Sequence, residues 1–117
     1  MTTNQWLGRY GEDRACEYLE RLGYQVIERN YRCREGELDI VAQEGKTLVF
    51  VEVKTRSSQN SGHPFEAITN SKQARIRKLV AHWCEKYQVS QVQVRIDAIA
   101  VMLRGGRVAI EHLKQVA

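Results

Sequence analysis

Two short stretches of this sequence hold the residues whose types and spacing suit chemistry: Gly36-Glu37-Leu38-Asp39-Ile40-Val41-Ala42, and Val51-Glu52-Val53-Lys54-Thr55. In both, charged side chains interrupt an apolar run that reads as a strand. An unpaired carboxylate is costly to bury, so such charges need a partner or a cation. Two acids and a lysine converging from neighbouring strands meet the needs of a phosphodiesterase that uses Mg²⁺ or Mn²⁺. In such an enzyme the ion activates water and neutralises phosphate oxygens. Mg²⁺ prefers oxygen ligands and commonly takes only one or two carboxylates. Asp39 and Glu52 are the expected pair, with the Val53 carbonyl as a further ligand. Lys54, on the same strand face as Glu52, is placed to orient or deprotonate the attacking water and to stabilise developing charge.

Each residue alone has a plainer reading. Glu52-x-Lys54 by itself reads as a cross-strand ion pair on an exposed sheet face ahead of any catalytic role, and Asp39 as a structural acid near a turn. Glu12 would ordinarily be a solvated helix residue, but Gly8 and Cys16 flank it one turn away on either side, near the edge of the apolar face. From there it is expected to supply a third carboxylate. The order of the residues favours chemistry: acid, hairpin, acid-x-lysine in an apolar strand, then a basic helix.

The elements that must position these residues follow from periodicity. Leu7, Gly11, Ala15, Tyr18, Leu19 and Leu22 fall on one face of a first helix, capped by Thr3 or Asn4 and stopped by Gly23. Residues 24–32 read as a strand whose polar content suits an edge. Residues 38–43 and 47–55 form a hairpin about Glu44-Gly45-Lys46, with Gly45 at positive φ. In its second strand, Val49, Val51 and Val53 share one face and Leu48, Phe50, Glu52 and Lys54 the other. Both faces are mostly apolar, which predicts a central, doubly covered strand. A polar loop over 56–64, expected to be mobile, leads to a second helix capped by Asn70 or Ser71. Its stripe is Ile76, Leu79, Val80, Trp83 and Tyr87. Residues 92–102 and 107–113 are the last two strands, turned by Gly105-Gly106. The predicted order is αβββαββ, in a single α/β domain over residues 1–117.

Charge agrees with that plan. From Lys54 to Lys86, the cations Lys54, Arg56, Lys72, Arg75, Arg77, Lys78 and Lys86 stand against only Glu66 and Glu85. This segment is more basic than the whole chain at +4. A basic stretch directly after the acids suits a polyanion, with Arg56, Lys72, Gln73 and Arg75 as the expected contacts, helped by a helix N-terminus. No apolar run approaches the ~18 residues of a membrane span, and Met1-Thr2-Thr3-Asn4 lacks a signal-peptide layout. The expected location is the cytoplasm. Cys16, Cys33 and Cys84 are widely spaced, without the close Cys/His pairs of common zinc sites, and are expected to pack as reduced thiols.

These residues resemble the PD-(D/E)XK nuclease superfamily: Asp39 matches its metal-binding aspartate, and Glu52-Val53-Lys54 its (D/E)XK element. Leu38 stands where some members carry proline. Gly8-x-x-Gly11-Glu12, the stretch from Gly36 to Val41, Phe50-Val51-Glu52-Val53-Lys54-Thr55-Arg56 and the Lys72-Gln73 helix start look like the YraN family. That family comprises small bacterial predicted endonucleases similar to archaeal Holliday-junction resolvases. The resemblance implies a restriction-endonuclease-like αβββαβ core, a mixed central sheet flanked by helices. It also implies a metal-binding role for Glu12, and DNA, including branched intermediates, as substrate. Cutting a symmetric junction would call for a homodimer. The alternative is a non-catalytic nucleic-acid-binding module that keeps the fold and the basic helix. A third reading is an adaptor whose charges are only ion pairs.

Overall fold

The first turn of the chain settles where helix α1 begins. The Thr2 hydroxyl accepts a hydrogen bond from the Gln5 backbone N–H while the Thr2 backbone N–H donates to the Gln5 side-chain oxygen, a capping box. Helix α1 therefore spans Thr3–Arg21, capped by Thr2 rather than by Thr3 or Asn4. Gly23 stops it at φ 93°. In this computed structural model, residues 2–57 and 63–117 are described, and the loop expected to be mobile lies largely outside the described residues. The strands are β1 (Gln25–Cys33), β2 (Gly36–Glu44), β3 (Thr47–Arg56), β4 (Gln93–Arg104) and β5 (Arg107–Leu113). A 3₁₀ turn, Pro64–Ala67, precedes α2 (Asn70–Lys86), which Thr69 caps instead of Asn70 or Ser71.

The sheet order is β1-β2-β3-β4-β5, with β3 and β4 parallel and every other pair antiparallel. The sequence of elements is thus the expected αβββαββ, and the mixed sheet flanked by helices is compatible with a restriction-endonuclease-like core. Residues 24–32 were expected at an edge, and β1 is an edge strand. Central β3 is covered on both faces. Val49 and Val51 pack with Ala15, Cys16 and Leu19 of α1, whereas Leu48 and Phe50 pack with Ile76, Leu79 and Trp83 of α2. Phe50 meets Trp83 edge-on, ring centroids 5.4 Å apart, the arrangement that aromatic quadrupoles favour. Two residues depart from their expected stripes. Leu22 lies exposed where α1 ends, and Tyr87 is exposed with its hydroxyl donating to Glu28.

A second polar assembly ties the C-terminal strands to α1. Asp97 of β4 is fully buried and accepts from Arg95 at 2.8 and 2.9 Å, from the Gln115 amide at 3.0 Å, and pairs with His112 Nε2 at 2.7 Å. Arg95 also donates to Glu44 and to the Tyr24 hydroxyl, and His112 Nδ1 lies 3.0 Å from the Tyr18 hydroxyl. No helix among the described residues is long and apolar enough to cross a membrane.

Candidate functional site

The site begins where the β2–β3 ladder ends. The last paired residues are Ile40 and Val51, although β2 begins four residues earlier and β3 runs on to Arg56. The outer halves are held by other strands: Leu38 and Glu37 pair with β1, while residues from Glu52 to Arg56 pair with β4. Beyond Ile40 and Val51, the two strands therefore fork. Asp39 fills the fork, its Oδ2 accepting the Val53 N–H at 2.8 Å. Val53, expected as a carbonyl ligand, meets Asp39 through its amide.

A backbone irregularity aims Asp39 into this place. Asn30 adopts φ 56° between the pairs Arg29↔Ile40 and Tyr31↔Leu38, a left-handed conformation that Asn tolerates better than most side chains. Across that kink the alternation of β2 breaks: Leu38 joins the α2 core and Ile40 the α1 core, two residues apart but on opposite faces.

Three carboxylates gather here. One oxygen each from Glu12, Glu37 and Asp39 lies within 4.8 Å of the other two. Asn30 Nδ2 bridges two of them, donating to Glu12 at 2.8 Å and Glu37 at 3.2 Å, and Arg29 and Arg32 add cationic donors to Glu12 and Glu37. Glu52 is not one of this trio; its Oε1 takes the Lys54 ammonium at 2.9 Å, with both side chains mostly buried. Its charge is nonetheless felt. Burial first, and then Glu52, push the Asp39 carboxyl up to about 8, against the opposing Val53 N–H. Burial likewise raises Glu12, against the lowering effect of Arg29.

The approach of α1 depends on Gly11. A Cβ at Gly11 would overlap the Thr55 hydroxyl and come within 2.8 Å of the Thr55 Cβ, which cannot rotate away. Gly8, one turn earlier, has nothing within 4 Å of such an atom. Substituting alanine gains roughly 0.5–1 kcal/mol of helix propensity at either position. At Gly11, overpacking of about 1–3 kcal/mol outweighs that gain. Gly8→Ala should therefore raise the urea midpoint, whereas Gly11→Ala should lower it and lift Glu12 away from Asp39. Equal effects at the two positions would refute this role for the α1–β3 contact.

Two open clefts meet at Gly8. One, of about 370 Å³, is lined by Gln5, Arg9, Glu12, Asn30, Arg32 and Glu37; the other, of about 420 Å³, by Asn4, Leu7, Val53, Lys54, Thr55 and Arg56. Of the expected nucleic-acid contacts, Arg56 lines the second cleft and Arg75 packs over Gly36 at the start of β2. Lys72 and Gln73 lie in the first turn of α2, their amides taken by the Thr69 side chain and carbonyl. Glu37, Asn30 and Arg9 are additions: Glu37 stood inside the quoted motif without a role, and nothing local in the sequence marks Asn30 or Arg9.

The model of the uncharacterised protein family UPF0102 matches residues 11–101. The chain is 50% identical over 117 residues to a UPF0102 protein of Beutenbergia cavernae, covering 99% of each. It is 50% identical over 118 residues to one of Pseudarthrobacter chlorophenolicus, covering 100% of this chain and 89% of the relative. A third, from an Arthrobacter species, is 45% identical over 117 residues, covering 99% of each.

Proposed function

We propose that this chain, which belongs to the uncharacterised protein family UPF0102, is a metal-dependent nuclease of PD-(D/E)XK type. In this reading it hydrolyses phosphodiester bonds in DNA, branched intermediates included. The observation that carries the proposal is Asp39 in the β2–β3 fork, with Glu12 and Glu37 gathered around it and the Glu52–Lys54 pair beside it.

The donor set fits a hard divalent cation. Its atoms are carboxylate oxygens, as Mg²⁺ and Mn²⁺ favour. Burial first, and then the charge of Glu52, push the Asp39 carboxyl up to about 8, and a cation beside it would favour the ionised form. Asp39, Glu12, Glu37 and Glu52 are the residues that would hold such an ion. When bound, it supplies activation of water and neutralisation of phosphate oxygens. The chain's own residues do the rest. Lys54 presents an ammonium held by Glu52, able to offset charge on a reacting phosphate or to hold a proton at Nζ. Arg9, Arg32 and Arg56 line the clefts in which backbone phosphates would be fixed.

Because Asp39 must lose its proton to ligate, ion affinity should rise about tenfold per pH unit up to about pH 8 and then level off. Titrations of Mg²⁺ between pH 6 and 9 check this; a flat profile would remove Asp39 from the ligand set.

The basic segment from Lys54 to Lys86 favours a second reading as a nucleic-acid-binding module without turnover. One experiment separates the two. Linear duplex, single-stranded and four-way-junction DNA are incubated with Mg²⁺, with Mn²⁺ or with chelator, and both binding and cutting are scored. Metal-dependent cutting supports the nuclease and names its substrate class. Salt-sensitive binding without cutting would favour the module.

A further inference from the structure

We propose a second metal site, for a borderline-soft divalent ion of the Zn²⁺ class, formed by Cys33, Glu35 and His82. Cys33 closes β1, Glu35 lies in the turn to β2, and His82 projects from α2. One ligand atom from each lies within 4.8 Å of the other two. The Cys33 thiol donates to Glu35 Oε2 at 3.4 Å, and His82 Nε2 lies 3.1 Å from the same oxygen. Zn–S bonds of about 2.3 Å and Zn–N and Zn–O bonds of about 2.0 Å place tetrahedral ligands roughly 3.5 Å (O to S) and 3.3 Å (O to N) apart. Both separations already lie close to those edges, so an ion could enter with little rearrangement.

The chemistry of the donors selects the ion. A thiolate and an imidazole are poor ligands for Mg²⁺ or Ca²⁺ and good ones for Zn²⁺. Thiolate and carboxylate together carry the two negative charges that a divalent ion neutralises, with His82 neutral. Three protein ligands leave the fourth position to water. Access is open, since the Glu35 and His82 side chains are 29% and 48% exposed. This cluster is separate from the acidic one. Cys33 packs toward the α2 core, whereas Glu37 faces Glu12 of α1 across the other side of the β1–β2 ribbon. No local spacing marks the site, because α2 supplies its last ligand from far along the chain.

The test uses the full chain, stripped with chelator and kept reduced. Zn²⁺ is titrated in competition with a chromophoric chelator, and Co²⁺ is added as a spectroscopic probe. The expected result is tight uptake of Zn²⁺ and a thiolate-to-Co²⁺ charge-transfer band in the near ultraviolet. Cys33→Ser should abolish the band. His82→Ala, at an exposed position where folding is not at stake, should weaken Zn²⁺ binding on the order of a hundredfold. Asp39→Asn should change neither. Failure of the wild type to bind, a band that survives Cys33→Ser, or affinity unchanged in His82→Ala would each overturn the site.

Discussion

On the proposed nuclease reading, Asp39→Asn should lower metal-dependent cleavage on the order of a thousandfold, the weight of the several kcal/mol that a catalytic ion would contribute, and it should make the metal-free protein more stable at neutral pH. The two effects share one cause. Asparagine keeps the shape of aspartate, and its carbonyl can still accept the Val53 N–H, so the fork should stay closed. What disappears is the cost of either keeping a proton on Asp39 or burying its charge beside Glu12, Glu37 and Glu52. The native carboxyl titrates near 8 and an unfolded one near about 3.9. Between those values the native state holds more protons than the unfolded state, so the wild type loses stability as pH rises through that window. The variant should not. Its metal-free Tm should exceed the wild-type value by several degrees at pH 8, with the gap closing toward pH 4, and added Mg²⁺ should no longer raise it. A Tm below wild type at every pH would instead make Asp39 an anchor for the fork.

Asp97→Ala should cost about 3–5 kcal/mol of folding stability, the usual consequence of removing one partner from a buried ion pair. Asp97 has no exposed surface, and its loss strands Arg95, the nearly buried His112 and the Gln115 amide. Burial alone would raise its carboxyl. Hydrogen bonds from His112, Arg95 and the Gln115 amide overcome that and hold it at about 2. The sign is opposite to that of Asp39. This contribution is complete above the unfolded pKa near about 3.9 and disappears as pH falls toward 2. Urea unfolding of both proteins at pH 7 and pH 3 measures it: the difference should be large at pH 7 and smaller at pH 3. A loss below about 1 kcal/mol at pH 7 would mean that the surrounding groups repair themselves.

The hairpin of β2 and β3 is legible because period-two alternation and Gly45 act locally, and Gly45 adopts φ 59° as expected. Helix α2 shows itself through Ile76, Leu79, Val80 and Trp83, all buried. The caps are less legible, since Thr2 and Thr3, or Thr69 and Ser71, are chemically alike and the choice depends on how the chain enters the helix. The kink at Asn30 could not be read, because its positive φ is imposed by pairing with β2. That kink also reassigns the faces of Leu38 and Ile40, which simple alternation places together. Arg95-x-Asp97 has the same form as Glu52-x-Lys54, a charged pair inside an apolar strand, yet it was read only as part of a strand. Sequence form alone does not separate a pair at the mouth of a cleft from one that locks the C-terminal strands; burial does.

The parallel pairing of β3 and β4 also governs when the molecule can acquire its working shape. Strands β1, β2 and β3 follow one another closely and can pair as they leave the ribosome. The far edge of β3 must wait for Gln93, which pairs with Thr47 only after the 3₁₀ turn and all of α2 have been made. Such long-range parallel pairing forms slowly, and an apolar strand with an open edge is a template for a neighbouring chain. The nascent protein is therefore most exposed to misassembly during the interval before β4 emerges. The residues from Glu52 to Arg56 also lack their final support until then, so an unfinished chain has no fork to hold its acids in place.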